Sequence, residues 1–476
     1  MTPERFDPAA ALADGLAHHV RQWAATACAS PEVAEATANA ARALSLATSA
    51  GHVCLPLADL VESQAADATM DATAWRQTLL TSGVVGKPAD AQRLPLVLDA
   101  DDRLYLQRDF MFERRLATRL ARCAQPLPAT GAAQQQRTAD QLAQLFAGNA
   151  QADGAVDWQQ LAAALALRGR LTVISGGPGT GKTTTVVNLL ACLLAQQPDA
   201  RVVLAAPTGK AAARLSEALR QRAGHLPEAL RARLPTESFT LHRLLGVRPP
   251  GQVGEPGGPF VHHAGQPLAL DVLVVDEASM LDLALATRLL EAVPEHARIV
   301  LLGDKDQLSA VESGAVFAEL SADPRLSPAA RQDLARLCGV APEQIVPAAP
   351  VQPSTLCDSV VWFNRNFRFA ADSGIGRLAA DTVAGRTEAA LAWLRTGADP
   401  SVQWLADDAA APQAATLQAV ADGYAPYLAA LQAALAGGAV AAANQLESIT
   451  EAFNRFRVLC AVRANARVRC ALCTVR

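Results

Sequence analysis

LTVISGGPGTGKTTTVVN, Leu171 to Asn188, is the stretch from which the rest of the 476-residue chain is read. An apolar run, Leu171 to Ser175, meets a glycine-rich turn, and Lys182-Thr183-Thr184 then opens the helix-like VVNLLACLLA. Gly176, Gly181, Lys182 and Thr183 fill the spacing G-x-x-x-x-G-K-[ST] in the strand, turn, helix context that this spacing needs. Glycines here let successive backbone N–H groups converge on phosphate oxygens at a helix N-terminus, where the helix dipole also favours negative charge. Lys182 adds a positive charge and Thr183 a hydroxyl for Mg²⁺. Gly176, Gly177, Pro178, Gly179, Thr180, Gly181, Lys182, Thr183 and Thr184 are therefore expected to bind a nucleoside triphosphate.

Strand-like runs repeat after this loop. Val202 to Ala205 reads as a second strand, followed by Thr208-Gly209-Lys210 as a turn into another helix. Lys210 and Arg214 suit either a nucleic-acid phosphate or an ordinary solvated helix face. TLHRLLG, Thr240 to Gly246, combines a hydroxyl, an imidazole and a guanidinium; phosphate contacts are one use, a capping Thr beside a packed His the other. Residues 247–267 are rich in Pro and Gly and read as an inserted loop or β-ribbon. Val272 to Val275 is a buried-type strand ending in Asp276-Glu277. At the carboxyl edge of a sheet, where ligands bind, Asp276 would hold Mg²⁺ and Glu277 would accept the proton of the attacking water. RIVLLGDKDQL places Gln307 just past another strand, where an amide can sense the γ-phosphate. Upstream, Trp158 and Gln159 open an amphipathic helix, suited to an adenine-facing edge or to a plain helix surface.

At ~150 residues per domain the length suggests about three domains. Apolar residues make up 51% of the chain but aromatic ones only 4%, so cores of Ala, Leu and Val in many helices are expected. A net charge of -4 supplies no overall basic signature, so any nucleic-acid contact must be a local groove or a share of a larger assembly. Glu4, Arg5 and Asp7 stand where an export signal would need a basic start followed by an apolar run, so none is expected, and Leu428 to Leu446, with Gln432, Gly437, Gly438 and Asn444, reads as too polar for a membrane span. A soluble cytoplasmic protein is expected. Nine scattered cysteines suit reduced thiols, and Cys470 and Cys473 form a single C-x-x-C without a second pair.

Residues 1–125 alternate Ala-rich helical periodicity with short apolar runs and read as a mainly helical accessory domain. GHVCLPL, from Gly51, is an apolar cluster expected to pack. From Arg93, two short strands joined by a turn at Asp99 to Asp102 lead into a helix whose Arg and Glu residues are expected to solvate a surface. Gln125 to Gln136 reads as a linker, with the next helix from about Ala139. The expected fold class is α/β: a P-loop domain with a parallel sheet at 126–350, a further domain beginning at 351, and the mainly helical accessory domain before them.

GGPGTGKTTT, APTGKAAARL, TLHRLLG, VVDEASM and GDKDQL, in this order, resemble the motor motifs of superfamily 1 DNA helicases. With GHVCLPL, RLYL and NFRFAADSGIGRLA, the resemblance runs from about residue 40 to about residue 463 and is to the RecD family, the alpha subunits of exodeoxyribonuclease V. It implies RecA-like motor domains, the first at 126–350 and a second from 351, that use ATP and Mg²⁺ to move 5′ to 3′ on single-stranded DNA at duplex ends. The implied partners are RecB- and RecC-like subunits in a heterotrimer that repairs double-strand breaks by homologous recombination. It assigns Lys182, Glu277, Gln307 and Arg368 to catalysis, Gln159 to adenine, Thr183 and Asp276 to the metal, and Thr208, Lys210, Thr240 and His242 to DNA. Arg368 would reach the γ-phosphate from the second motor domain, and 247–267 would correspond to a strand-separating pin. After Ala452 to Arg463 the family's last two motor motifs are absent and a basic tail follows, so 351–476 is expected to be an incomplete second motor domain. The alternative is a nucleotide-binding interaction subunit without motor activity.

Overall fold

The computed structural model describes residues 7–63, 70–125, 127–128, 131–149, 155–249, 258–307, 314–354, 356–370, 372–407, 411–436 and 445–460. Cys470 and Cys473 and the basic tail lie outside them. The chain divides into two compact units, Met1–Arg368 and Phe369–Arg476.

The first unit begins with a helix pair, α1 (Pro8–Thr26) and α2 (Pro31–Ser49), packed side by side. Each starts on a proline behind a capping side chain: Asp7 accepts from Ala9 N–H at 3.0 Å and Ser30 from Val33 N–H at 3.3 Å. Next come β1 (Cys54–Pro56), α3 (Leu57–Glu62), α4 (Ala72–Thr81), β2 (Val85–Gly86), β3 (Leu96–Leu98) and β4 (Arg103–Leu106). The strands form a small sheet in the order β1-β4-β3-β2. The expected β3–β4 hairpin is present, its turn held by Asp99 Oδ1, which accepts from Asp101 and Arg103 N–H at 3.0 and 2.9 Å. GHVCLPL supplies the additional short strand β1.

Helix α5 (Gln107–Cys123) leaves this sheet and packs against the large one: Phe112, Leu116, Leu120 and Cys123 join the core beneath it. Its arginines do not all solvate a surface, as the sequence suggested. Arg119 is 8% exposed and donates to the carbonyls of Leu290, Val293 and Pro294 at 2.9, 2.7 and 3.0 Å. It satisfies the open end of a neighbouring helix. α6 (Ala132–Leu145) starts earlier than expected because Gln134 to Arg137 are good helix formers.

α7 (Trp158–Arg168) precedes the large sheet, whose elements are β5 (Leu171–Gly176), α8 (Lys182–Gln196), β6 (Val202–Ala206), α9 (Gly209–Arg222), α10 (Glu228–Arg231), β7 (Ser238–Thr240), α11 (Leu241–Leu245), β8 (Val272–Val275), α12 (Leu283–Ala292), β9 (Arg298–Gly303), α13 (Val316–Leu320), α14 (Pro328–Cys338) and β10 (Val360–Phe363). Six parallel strands lie in the order β10-β5-β9-β8-β6-β7. Alternate residues face opposite layers: Ile174, Val274, Val300 and Leu302 meet α7 and α8, whereas Val173, Leu273, Val275, Ile299 and Leu301 meet α5 and α12. Both faces are covered, which is why these strands read as continuous apolar runs. β10 lies beyond the sequence-based boundary at 350 yet completes this sheet. At 247–267, the described ends pair antiparallel: Arg248 N–H donates to Pro259 O at 2.9 Å and Val261 N–H to Gly246 O at 2.8 Å.

In the second unit the described residues hold helices α15 (Gly374–Val383), α16 (Thr387–Leu394), α17 (Ala414–Ala436) and α18 (Leu446–Asn454), and no strand. Tyr424 and Tyr427 of α17 pack on Phe453 of α18. No described helix of the protein is long and apolar enough to cross a membrane.

Candidate nucleotide site

The loop between β5 and α8 needs its glycines. Gly179 and Gly181 sit at φ +82° and +85°, where L side chains are strained. A Cβ on Gly181 would lie 2.0 Å from Gln159 Nε2, and one on Gly179 would lie 2.7 Å from Arg368 Cβ. Thr180 Oγ1 donates to Gly177 O at 2.8 Å and braces the turn. Lys182 Nζ donates to Gly176 O, and to Gly177 O at 3.2 Å. Thr183 is half-buried on the first turn of α8, and the next hydroxyl, Thr184 Oγ1, accepts from Arg222 of α9.

Because β9 lies between β5 and β8, the acidic strand ends flank the phosphate loop at one edge of the sheet. Burial pulls the Lys182 ammonium below its ordinary pKa, while Asp304, Asp276 and Glu277 act to hold it up. Burial pushes Asp276 above the usual carboxylate range; the Glu277 N–H on Oδ1 at 2.9 Å opposes this, and the Glu277 charge adds to it. Glu277 itself stands at φ +53°, a strained conformation for this residue at the strand end. Asp304 is 6% exposed and accepts from Asp306 N–H at 3.1 Å. Lys305 N–H donates to Ser175 Oγ at 3.0 Å, tying the end of β9 to the strand that carries the loop. Gln307 follows in an exposed turn, its N–H on Asp304 O at 3.2 Å.

Gln159 Nε2 donates to Thr180 O at 2.9 Å, and its Oε1 accepts from Asn149 Nδ2 at 2.8 Å, so the amide braces the phosphate loop. Beside it lies a cavity of about 450 Å³ lined by Asp157, Trp158, Gln159, Thr180, Phe363 and Phe367. Three aromatic rings and an amide suit a flat heterocyclic base. The segment after β10 grips the loop: Phe367 N–H donates to Gly179 O at 2.8 Å and Asn366 Nδ2 to Pro178 O at 2.7 Å. Arg368 therefore sits against the loop with the first unit, its side chain exposed.

Thr208 and Thr240 are helix caps, accepting from Ala211 N–H at 3.2 Å and Arg243 N–H at 3.3 Å. They lie at the carboxyl ends of paired strands β6 and β7, with exposed Lys210 and His242 two residues on. The exposed His242 ring has its centroid 5.9 Å from that of Phe260. The edge thus gathers the phosphate loop, Asp276, Glu277 and Gln307 with Thr208, Lys210, Thr240 and His242. Sequence reasoning missed Asp304, which the GDKDQL stretch held in view, and Phe367, whose approach to Trp158 no local pattern shows. Among the described residues no group of three or more His, Cys, Asp and Glu could by itself hold a metal.

Fold and site define a P-loop nucleotide-binding protein. Residues 159–313 match an AAA domain, and residues 12–105 match the RecBCD enzyme subunit RecD, N-terminal domain. The chain is 42% identical to RecBCD enzyme subunit RecD of Mycolicibacterium smegmatis over 256 residues, 52% of this chain and 42% of that one. It is 39% identical to the same subunit of Mycobacterium tuberculosis over 325 residues, 66% and 51%. With the ATP-dependent RecD2 DNA helicase of Deinococcus radiodurans it shares 33% over 297 residues, 61% and 37%. The chain is similar to the RecD proteins and spans about half, or less, of the length of these curated relatives.

Proposed function

We propose that the chain is an ATP-dependent 5′ to 3′ DNA helicase or translocase subunit of a RecBCD-type exodeoxyribonuclease V. It would act in the cytoplasm in double-strand break repair by homologous recombination, beside RecB- and RecC-like subunits. The observation that carries this reading is the common edge on which the phosphate loop, the Asp276-Glu277 pair and the Thr208 to His242 group meet. We divide the chain into an accessory, partner-docking region at 1–125, a first motor domain at 126–350 extended by β10, and a partial second one to 476.

The residues fit Mg²⁺ with ATP: Asp276 and Thr183 offer hard oxygen donors, and burial, with the Glu277 charge beside it, disfavours the Asp276 carboxylate in a way that a cation would offset. When bound, Mg²⁺ neutralises charge on the phosphates. In the chain, the 176–184 loop holds the phosphates by backbone N–H groups, and Lys182 exchanges its carbonyl partners for phosphate oxygens. Glu277 accepts the proton of the attacking water, Gln307 senses the γ-phosphate, and Arg368 stabilises charge on it. Gln159 and the Trp158–Phe367 cavity hold the base. Thr208, Lys210, Thr240 and His242 contact the DNA backbone, so strand movement and hydrolysis share one edge.

The test is strand displacement on duplexes bearing either a 5′ or a 3′ single-stranded tail, with ATP and Mg²⁺. Displacement from the 5′ tail alone is expected; displacement from the 3′ tail alone contradicts the polarity. ATP binding with no displacement from either, even with RecB- and RecC-like subunits added, points instead to the interaction subunit without motor activity.

A further inference from the structure

A second large opening lies away from the nucleotide site. A cavity of about 870 Å³ runs along α5 where that helix meets the amino edge of the large sheet. Arg201 stands just before β6, Leu268 and Ala269 a few residues before β8, and His296 just before β9, so the cavity faces the edge opposite the phosphate loop. Its lining holds five arginines against two glutamates, in a chain whose net charge is -4. One sign of charge gathered in a concave site raises the local potential and draws anions.

The arginines differ in what already holds them. Arg119 is buried on three carbonyls, and Arg115 forms a two-pronged pair with Glu291. The Arg122 side chain is 65% exposed and pairs at 3.1 Å with Glu295, itself 75% exposed; a pair this wet is readily exchanged for another. Arg114 is exposed, and among the described residues its guanidinium has no hydrogen bond or ion pair.

Arg114, Thr118 and Arg122 follow one another at four-residue spacing and share one face of α5, ~6 Å apart along its axis. In an extended peptide the side chains of one face recur at nearly the same interval, ~7 Å. Carboxylates four residues apart in such a peptide therefore reach both arginines, and the residue between them faces Thr118. A guanidinium meets a carboxylate through two parallel N–H bonds, which fixes direction as well as charge. Met111, Pro267 and Pro294 add apolar lining that suits side chains on the peptide's other face. A nucleic-acid strand fits less well: no Phe, Tyr or Trp lines the cavity for base stacking, and the two glutamates repel phosphates.

We propose that this groove binds an extended, acidic segment of a partner protein, held by Arg114 and Arg122 of α5. The groove is separate from the nucleotide and from the Thr208 to His242 group, so the inference goes beyond the function proposed above and is tested without ATP.

The full chain is titrated into a fluorescein-labelled peptide of about ten residues, with Glu at every second position and Val or Ser between, and anisotropy gives Kd. The same peptide with Gln for Glu, and a labelled oligothymidine of the same length, are measured beside it. Arg114→Ala and Arg122→Ala are each expected to raise Kd for the acidic peptide about tenfold, and the double charge reversal R114E/R122E to abolish binding. The melting temperature stays unchanged, because both side chains lie in water. Arg220→Ala, at an exposed arginine of α9 outside the groove, leaves Kd as it was. Binding that needs no glutamates, that weakens equally in Arg220→Ala, or that is absent altogether overturns the proposal. So does an oligothymidine that binds more tightly than the peptide and is lost in the Arg114 and Arg122 variants, which would make the groove a nucleic-acid path.

Discussion

The carboxyl edge of the large sheet and the seam where α5 meets that sheet are both crowded with charged groups, yet they are built on opposite terms. At the edge, Lys182 and Asp276 are half-buried with pKa values displaced against their charged forms, and Glu277 is strained. At the seam, Arg119 is buried with its donors met by three carbonyls, and Arg115 pairs with Glu291. The first arrangement leaves charge for a ligand to satisfy; the second consumes its charge in holding the protein together. Burial alone therefore does not mark a functional group, whereas burial with an unfavourable charge balance at a strand end does.

The contrast is tested first at Lys182. Lys182→Ala is expected to lower ATP turnover on the order of 10³-fold with the melting temperature unchanged, as measured by steady-state hydrolysis and thermal unfolding. Glu277→Gln is expected to slow turnover about a hundredfold while binding of a fluorescent ATP analogue is retained. Lost binding would remove its role as proton acceptor. At the seam the effects should reverse in kind: Arg119→Ala leaves the carbonyls of Leu290, Val293 and Pro294 without donors and is expected to cost about 3 kcal/mol in denaturant unfolding. Turnover per folded molecule should barely change.

A smaller, pH-dependent effect is expected at Asp323, whose carboxylate is held down to about 2 by the Arg325 guanidinium and by the N–H of Ser354 and Arg325. Its folded pKa lies below the ordinary 3.8, so its stabilisation is complete above that pH and is lost as pH falls from 3.8 towards about 2. Asp323→Asn should therefore unfold more easily by about 2 kcal/mol at neutral pH, with the difference from wild type closing over that acid window. A difference that persists at pH 2 would remove the charge from the explanation.

The same contrast governs what the sequence revealed. β5, β6, β8 and β9 were legible because strands buried on both faces are unbroken apolar runs, and the phosphate loop and acidic pair follow at their ends. β7, only Ser238–Thr240, and β10 at the sheet's edge were not, and β1 and β2 are too short to show any period. Thr208 and Thr240 carry local capping signals as well as family wording, so both readings were open. Arg119 and the Trp158–Phe367 cavity join residues far apart in the chain. No local pattern encodes such contacts; only the order of strands in the sheet brings them together.

The most direct measurement is steady-state ATP hydrolysis by the chain, with and without single-stranded DNA, beside Lys182→Ala. Turnover that rises with DNA and disappears in the variant is the predicted result. Turnover that survives the substitution, or ignores DNA even with RecB- and RecC-like subunits added, would contradict a motor built on the carboxyl edge of this sheet.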